Sequence, residues 1–248
     1  MTDITMISHN IMDVHVHAVT MEKAVRHCVL MAEDGHFHMI ATANAEMLMI
    51  AQKDRELCHI LNQADMVVPD GAGVLWAGEQ LRCPFPERVA GIDLMENLLC
   101  EAAARKWPVF FLGGAPGVAR EAADRFQKSK GPLIISGIHD GYFDEEDETE
   151  ILRQIREGKS RLLFVGMGVP KQEKWISRHA AALGPCIAMG IGGAFDVMAG
   201  RLKRAPAWMR NHRMEWAYRL YLQPSRIGRM VSLPLFMRAV RRWKSQQS

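Results

Sequence analysis

Asp70 stands in "VVPDGAG" (67–73), where an apolar run ends in Pro69 and two glycines, Gly71 and Gly73, follow. Asp-Gly is among the commonest turn dipeptides, because both residues tolerate the backbone angles of a tight turn. A carboxylate at the mouth of a buried strand is also where an α/β enzyme keeps a general base. Read locally, turn former and base are equally good accounts of Asp70. "TANAE" (42–46) spaces Thr42, Asn44 and Glu46 two apart, which in an extended segment sets all three on one face. Helix capping by Thr42 or Asn44, with Glu46 in the first turn, explains each of them singly. In "ERVAGID" (87–93), Arg88 precedes a helix that Asp93 is expected to cap. An arginine there pairs with a pyrophosphate or forms a surface ion pair.

Three further turns bring glycines and polar groups to strand ends. "FLGGAPG" (111–117) runs from a strand through Gly113 and Gly114 into a helix start, and free amides at a positive helix end attract anions. It lacks the GxGxxG spacing and has no Walker lysine. "GMGVPKQEKW" (166–175) crowds Lys171, Gln172 and Glu173 behind Pro170, a residue suited to a first helical turn. "MGIGGAFDVMAG" (189–200) supplies Gly192, Gly193 and Asp196. Metal chemistry finds little support. There is no D-x-D after a strand, Asp144 and Asp147 in "FDEEDETE" read as solvated charge, and "HVH" (15–17) has no third ligand nearby. No GxSxG elbow and no Cys/His pair in a recognisable context is present.

Positioning these groups requires strands that end together. Continuously apolar runs at 37–43, 66–68, 108–113, 132–137, 161–167 and 186–191 suit parallel strands buried on both faces. Helical patterns lie between them, at about 46–63, 72–81, 92–106, 116–129, 145–157 and 171–183. The alternation predicts an α/β fold: a Rossmann-like, mostly parallel sheet flanked by helices, with ligands at the carboxyl ends of the strands. Residues 1–36 read as a small β/α lead-in with a helix from about 20 to 34. The expected division is a core of residues 1–200 and a basic helical C-terminal appendage of residues 201–248.

Composition agrees with a globular chain: 248 residues, 48% hydrophobic and 24% charged. The five cysteines form no CxxC pair, so a reducing cytoplasm is the simplest compartment. The N-terminal segment carries Asp3 and no long apolar core, so it is not read as a signal peptide. Charge is uneven. Twelve of the 31 basic residues but only one acidic residue, Glu215, lie from Arg201 onward, leaving −8 before that point and +11 after it. "SLPLFMRAVRRWKSQQS" (232–248) mixes Leu233, Leu235, Phe236, Val240 and Trp243 with Arg238, Arg241, Arg242 and Lys244. That is the composition of an interfacial helix beside anionic lipid, of a solvated basic helix, or of an RNA contact.

Taken in order, "TANAE", "PDG", "RVAGID", "GGAPG", "DGYF", "GVPKQE", "GIGGAFD", "KRAP" and "EWAYRLYLQPSRIGR" resemble the WecG/TagA/CpsF family of bacterial glycosyltransferases, most closely its TagA-type branch. The resemblance covers nearly the whole chain. It implies an inverting, metal-independent hexosyltransferase without a cofactor, peripheral on the cytoplasmic face of the membrane. The implied reaction moves N-acetylmannosamine from its UDP derivative to undecaprenyl-diphosphate-linked N-acetylglucosamine, for wall teichoic acid or a related surface polysaccharide. WecG-type members transfer the uronic acid of that sugar, so the motifs leave the donor open. By motif, the base falls on Asp70 and the polar pocket pair on Thr42 and Asn44. The remaining site residues fall on Arg88, Gln172 and the appendage arginines Arg219, Arg226 and Arg229. Ala45 replaces a frequent proline, and Met214 a usual glycine.

The implied partners are a UDP-sugar, a polyprenyl-diphosphate-linked acceptor and an anionic membrane, with no nucleic acid; self-association stays open. The expected division of labour gives Asp70 the acceptor proton, with Gly71 and Gly73 leaving room for the acceptor. The departing diphosphate would meet the amides at Gly113–Gly114 and Gly192–Gly193, together with appendage arginines closing from above. Two competing accounts are a nucleotide-dependent oxidoreductase, disfavoured by the missing GxGxxG, and a nucleic-acid-binding protein driven by the tail.

Overall fold

The computed structural model describes residues 6–206, 209, 218 and 232–247. A hairpin of β1 (Ser8–Ile11) and β2 (Val14–His17) opens the chain. Its two-residue turn puts Met12 and Asp13 at φ 53° and 63°, the positive angles that match a hairpin's twist. Asn10 Oδ1 accepts from the Asp13 amide at 2.8 Å. Helix α1 (Met21–Glu33) follows, capped by Thr20.

The main sheet is built from β3 (His38–Ala43), β4 (Met66–Pro69), β5 (Pro108–Gly113), β6 (Ile134–His139), β7 (Leu162–Gly166) and β8 (Ile187–Gly190). All six are parallel, in the order β4-β3-β8-β7-β5-β6. Except in the edge strand β6, their central positions are apolar on both faces because helices cover both. The connecting helices are α2 (Ala45–Ala51), α3 (Arg55–Gln63), α4 (Ala72–Gln80), α5 (Gly91–Arg105), α6 (Val118–Lys130), α7 (Glu145–Glu157), α8 (Lys171–Leu183) and the short α9 (Ala194–Met198). One core lies under α2, α3, α4, α7 and α8, together with the hairpin. The other lies under α1, α5, α6 and α9.

Strand β3 therefore turns into a helix on one face while its neighbour β8 turns into a helix on the other. Such a reversal opens a crevice at the carboxyl ends of the two strands.

The expected helix over 46–63 is two helices. Asp54 interrupts it by capping α3 through the Leu57 amide at 3.0 Å, a local competition that period counting does not register. The edge strand expected at 132–137 sits two residues later and carries a bulge at Ser136, opposite the Val109–Phe110 step of its partner. The acidic run before α7 is a capping box of Asp144 and Asp147 rather than merely solvated charge.

Helix α10 (Ser232–Gln247) packs its apolar side on α2 and α4. Phe236 and Val240 are fully buried in the same core as the sheet, Leu233 and Trp243 are partly buried, and Leu235 stays exposed. Lys244 Nζ donates to the Gln80 carbonyl at the end of α4 (2.6 Å), and the Arg241 guanidinium lies 5.9 Å from the Trp76 ring centre. The face expected to meet lipid is thus largely occupied by the core.

Candidate active site

A cavity of about 260 Å³ opens where β3, β4 and β8 end, walled by Thr42, Asn44, Glu46, Asp70, Arg88 and the Ile191–Ala194 turn. Four chain segments separated in sequence meet there. Thr42 is the penultimate residue of β3 and nearly buried. Asn44 is the N-cap of α2, its Oδ1 accepting from the Met47 amide at 3.0 Å, and Glu46 lies in the first turn. Capping and cavity lining coincide in Asn44. The three residues reach one cavity through a strand, a cap and a helical turn, not along one extended face.

Asp70 is held from several directions. Its amide donates to the Ala43 carbonyl at 2.7 Å, locking the end of β4 to β3. Its Oδ2 accepts from the Gly91 amide at 3.1 Å, the first residue of α5. Asp93 does not cap that helix as expected. The N-cap is Ala90, which has no side chain able to cap, so Asp70 supplies the acceptor from across the turn, and Asp93 pairs with Arg204 at 2.6 Å. The Arg88 Nε lies 3.7 Å from Asp70 Oδ1, an ion-pair distance rather than a hydrogen bond. Gly71 follows at φ 102° and ψ 148°, a conformation open to glycine alone. Gly73 has a different duty from the expected one. A Cβ there would lie 3.2 Å from Ala45 Cβ and 3.3 Å from Leu233 Cδ1, so its smallness serves the packing of α2, α4 and α10.

The other predicted groups are arranged differently. Gln172 is 1% exposed and does not line the cavity. Its Oε1 accepts from the Gly168 amide at 3.1 Å and the Gly192 amide at 3.0 Å, and its Nε2 donates to Glu173 Oε1 at 2.7 Å. The Gly114 amide donates to the Gly166 carbonyl at 2.9 Å, and α6 starts only at Val118. The amides of Gly114 and Gly192, expected to be free for an anion, are therefore engaged within the protein. Gly193 lines the cavity; Gly113, Lys171 and Asp196 do not. Lys171 instead lies 5.6 Å from the Phe143 ring centre, and Asp196 sits in the first turn of α9. Arg219, Arg226 and Arg229 lie outside the described residues. Among the described residues, no group of three or more His, Cys, Asp or Glu side chains is placed to hold a metal ion.

Sequence reasoning missed Glu173 as a buried group. It is fully buried, its Oε2 has no hydrogen-bond partner, and burial pushes its pKa up to about 7. The only sequence signal was a carboxylate one residue after Gln172 in a helix whose first turn abuts the sheet.

The model of the glycosyl transferase WecG/TagA/CpsF family matches residues 9–248. The chain is also 40% identical over 198 residues to the N-acetylglucosaminyldiphosphoundecaprenol N-acetyl-beta-D-mannosaminyltransferase of Staphylococcus aureus (strain NCTC 8325 / PS 47). That alignment covers 80% of this chain and 77% of the relative. The same-named protein of Staphylococcus aureus (strain COL) matches at 40% identity over the same shares of both chains.

Proposed function

The chain belongs to the WecG/TagA/CpsF family of glycosyltransferases, and from that premise we propose that it transfers N-acetylmannosamine from UDP-N-acetylmannosamine to N-acetylglucosamine carried on undecaprenyl diphosphate. The observation that carries the reading is the convergence of Asp70, Arg88, Thr42 and Asn44 on one cavity at the β3/β8 reversal. The relatives bear the name of this reaction.

In the proposed step Asp70 takes the proton of the attacking acceptor hydroxyl. The new bond forms at the anomeric carbon as the bond to the diphosphate breaks, and the electron pair leaves with UDP. A positioned base supplies on the order of 10²–10⁴ in rate. The cavity, about 260 Å³, is smaller than the roughly 300–1,000 Å³ of whole ligand sites. It suits a sugar, with the nucleotide extending beyond it along the neighbouring strand ends. Because the Gly114 and Gly192 amides are engaged, charge on the departing diphosphate falls to arginines. Arg88 is the described one, and Arg219, Arg226 and Arg229 are proposed to join it from the appendage. Residues 1–200 would then act as the catalytic core, and 201–248 as a basic segment holding the enzyme to the inner face of an anionic membrane without spanning it.

The test is a donor screen with a lipid-diphosphate N-acetylglucosamine acceptor, read by mass spectrometry and UDP release. UDP-N-acetylmannosamine should give the disaccharide lipid in chelator as well as without it. Release from the uronic acid derivative alone would move the donor assignment, and no release from any UDP-sugar would overturn the reading.

A further inference from the structure

Glu173 and Gln172 form a buried pair beneath the cavity wall. The two backbone donors that converge on Gln172, from Gly168 and Gly192, require its amide oxygen to face them. Its nitrogen must then find an acceptor on the opposite side, and Glu173 Oε1 supplies one at 2.7 Å. Strand β8 makes room for the pair: a Cβ on Gly190 would lie 2.6 Å from Gln172 Nε2 and 3.0 Å from Glu173 Oε1. Gly168 belongs to the turn after β7, and Gly192 to the turn after β8 that walls the cavity at Ile191, Gly193 and Ala194.

We propose that Glu173 is a positioning residue of the transfer site, orienting the Gln172 amide so that its oxygen holds the Gly168 and Gly192 turns together. Without the carboxyl acceptor, either Gln172 Nε2 is left buried and unsatisfied or the amide rotates and presents NH₂ to two N–H donors. Rotation breaks both glycine bonds and releases the Ile191–Ala194 wall outright, while the unsatisfied amide loses the partner that fixes its orientation and holds that wall less firmly. A displacement of about 1 Å in that wall, away from the reacting atoms, lowers turnover on the order of 10²-fold. The effect on turnover rests on the transferase reading; the effect on the turns does not.

The experiment compares wild type with Glu173→Gln, which keeps an acceptor of the same shape, and Glu173→Leu, which removes it. Glu173→Met is measured beside Leu as a longer apolar variant, should Leu fail to fold. Amide hydrogen exchange at Gly168 and Gly192 is read together with kcat and KM for UDP release. The expected result is faster exchange at both glycines and a kcat reduced on the order of 10²-fold in the apolar variants. Gln should restore both readouts to within about twofold. A pure packing role predicts apolar variants at least as stable as wild type, since a buried carboxyl is replaced by hydrocarbon, with turnover intact. That outcome overturns the proposal, as does a Gln variant as impaired as Leu. Faster exchange in a protein whose wild type releases no UDP would refute the transferase reading alone.

Discussion

At Asp70 one carboxylate oxygen caps α5 through the Gly91 amide while the other lies 3.7 Å from the Arg88 Nε. Asparagine can keep the first contact but cannot take a proton. Asp70→Asn should therefore fold normally and bind UDP within about twofold of wild type by calorimetry, while turnover falls by roughly 10²–10⁴. Turnover near the wild-type rate would remove Asp70 as the base. A second residue-scale prediction concerns His38, at the opposite end of the sheet, where Nδ1 and Nε2 each lie 2.8 Å from an aspartate oxygen, of Asp65 and Asp34 respectively. Burial works against its protonation, but hydrogen bonds and charge from the two aspartates outweigh it and raise the pKa. The stability this gives is complete below the ordinary histidine pKa and is lost as pH rises through the raised folded value. Thermal midpoints should fall by a few degrees between about pH 6 and pH 8.5, and Asp34→Asn/Asp65→Asn should flatten that slope. Asp70, Thr42 and Asn44 could be read as cavity candidates because strand ends are few and their polar residues stand out against apolar runs, and Arg88 because it stands just before a helix start. Glu173 was not, because nothing in a lone glutamate marks it as the one the sheet encloses.

Helices α2 and α4 start at the cavity and carry α10 on their outer sides, so one docking helix braces both turns. Leu233 of α10 comes within 3.3 Å of where a Gly73 side chain would begin, three residues beyond Asp70. Phe236→Ala should lower stability by about 3–5 kcal/mol in denaturant titration, the cost of truncating a buried phenylalanine. It should also reduce kcat, because α4 loses its backing. Unchanged kcat in the folded variant would show that α10 is a passive cover. The six strands and most helices could be read from period and length, since buried parallel strands are apolar throughout. The break at Asp54 and the docking of α10 could not. A cap competes with helix period locally, and an amphipathic face looks the same whether its partner is lipid or protein.

For the molecule as a whole, the uneven charge matters more than the apolar content of the tail. Among the described residues no helix is long and apolar enough to cross a membrane, and α10 has turned Phe236 and Val240 inward. Arg238, Arg241 and Arg242 remain exposed on its outer side. Each basic residue near an anionic surface contributes roughly 1 kcal/mol, so the proposed attraction to a membrane would be electrostatic. Arg238→Glu/Arg242→Glu should weaken co-sedimentation with phosphatidylglycerol vesicles at least tenfold while leaving the thermal midpoint in place. Undiminished binding would place the contact elsewhere. At the edge of the sheet the hairpin covers strand β4, and the His17 ring accepts the Val67 amide at 2.9 Å, three residues before Asp70. Burial, then His15 and His27, lower the His17 pKa, so the ring serves as an acceptor at neutral pH and loses that form in acid. A borrowed imidazole thus satisfies the Val67 donor on a strand edge that would otherwise offer it to another molecule's strand. Acidification that charges His17 would remove this acceptor and leave the Val67 donor unsatisfied at the sheet edge, tying the enzyme's colloidal stability to one histidine.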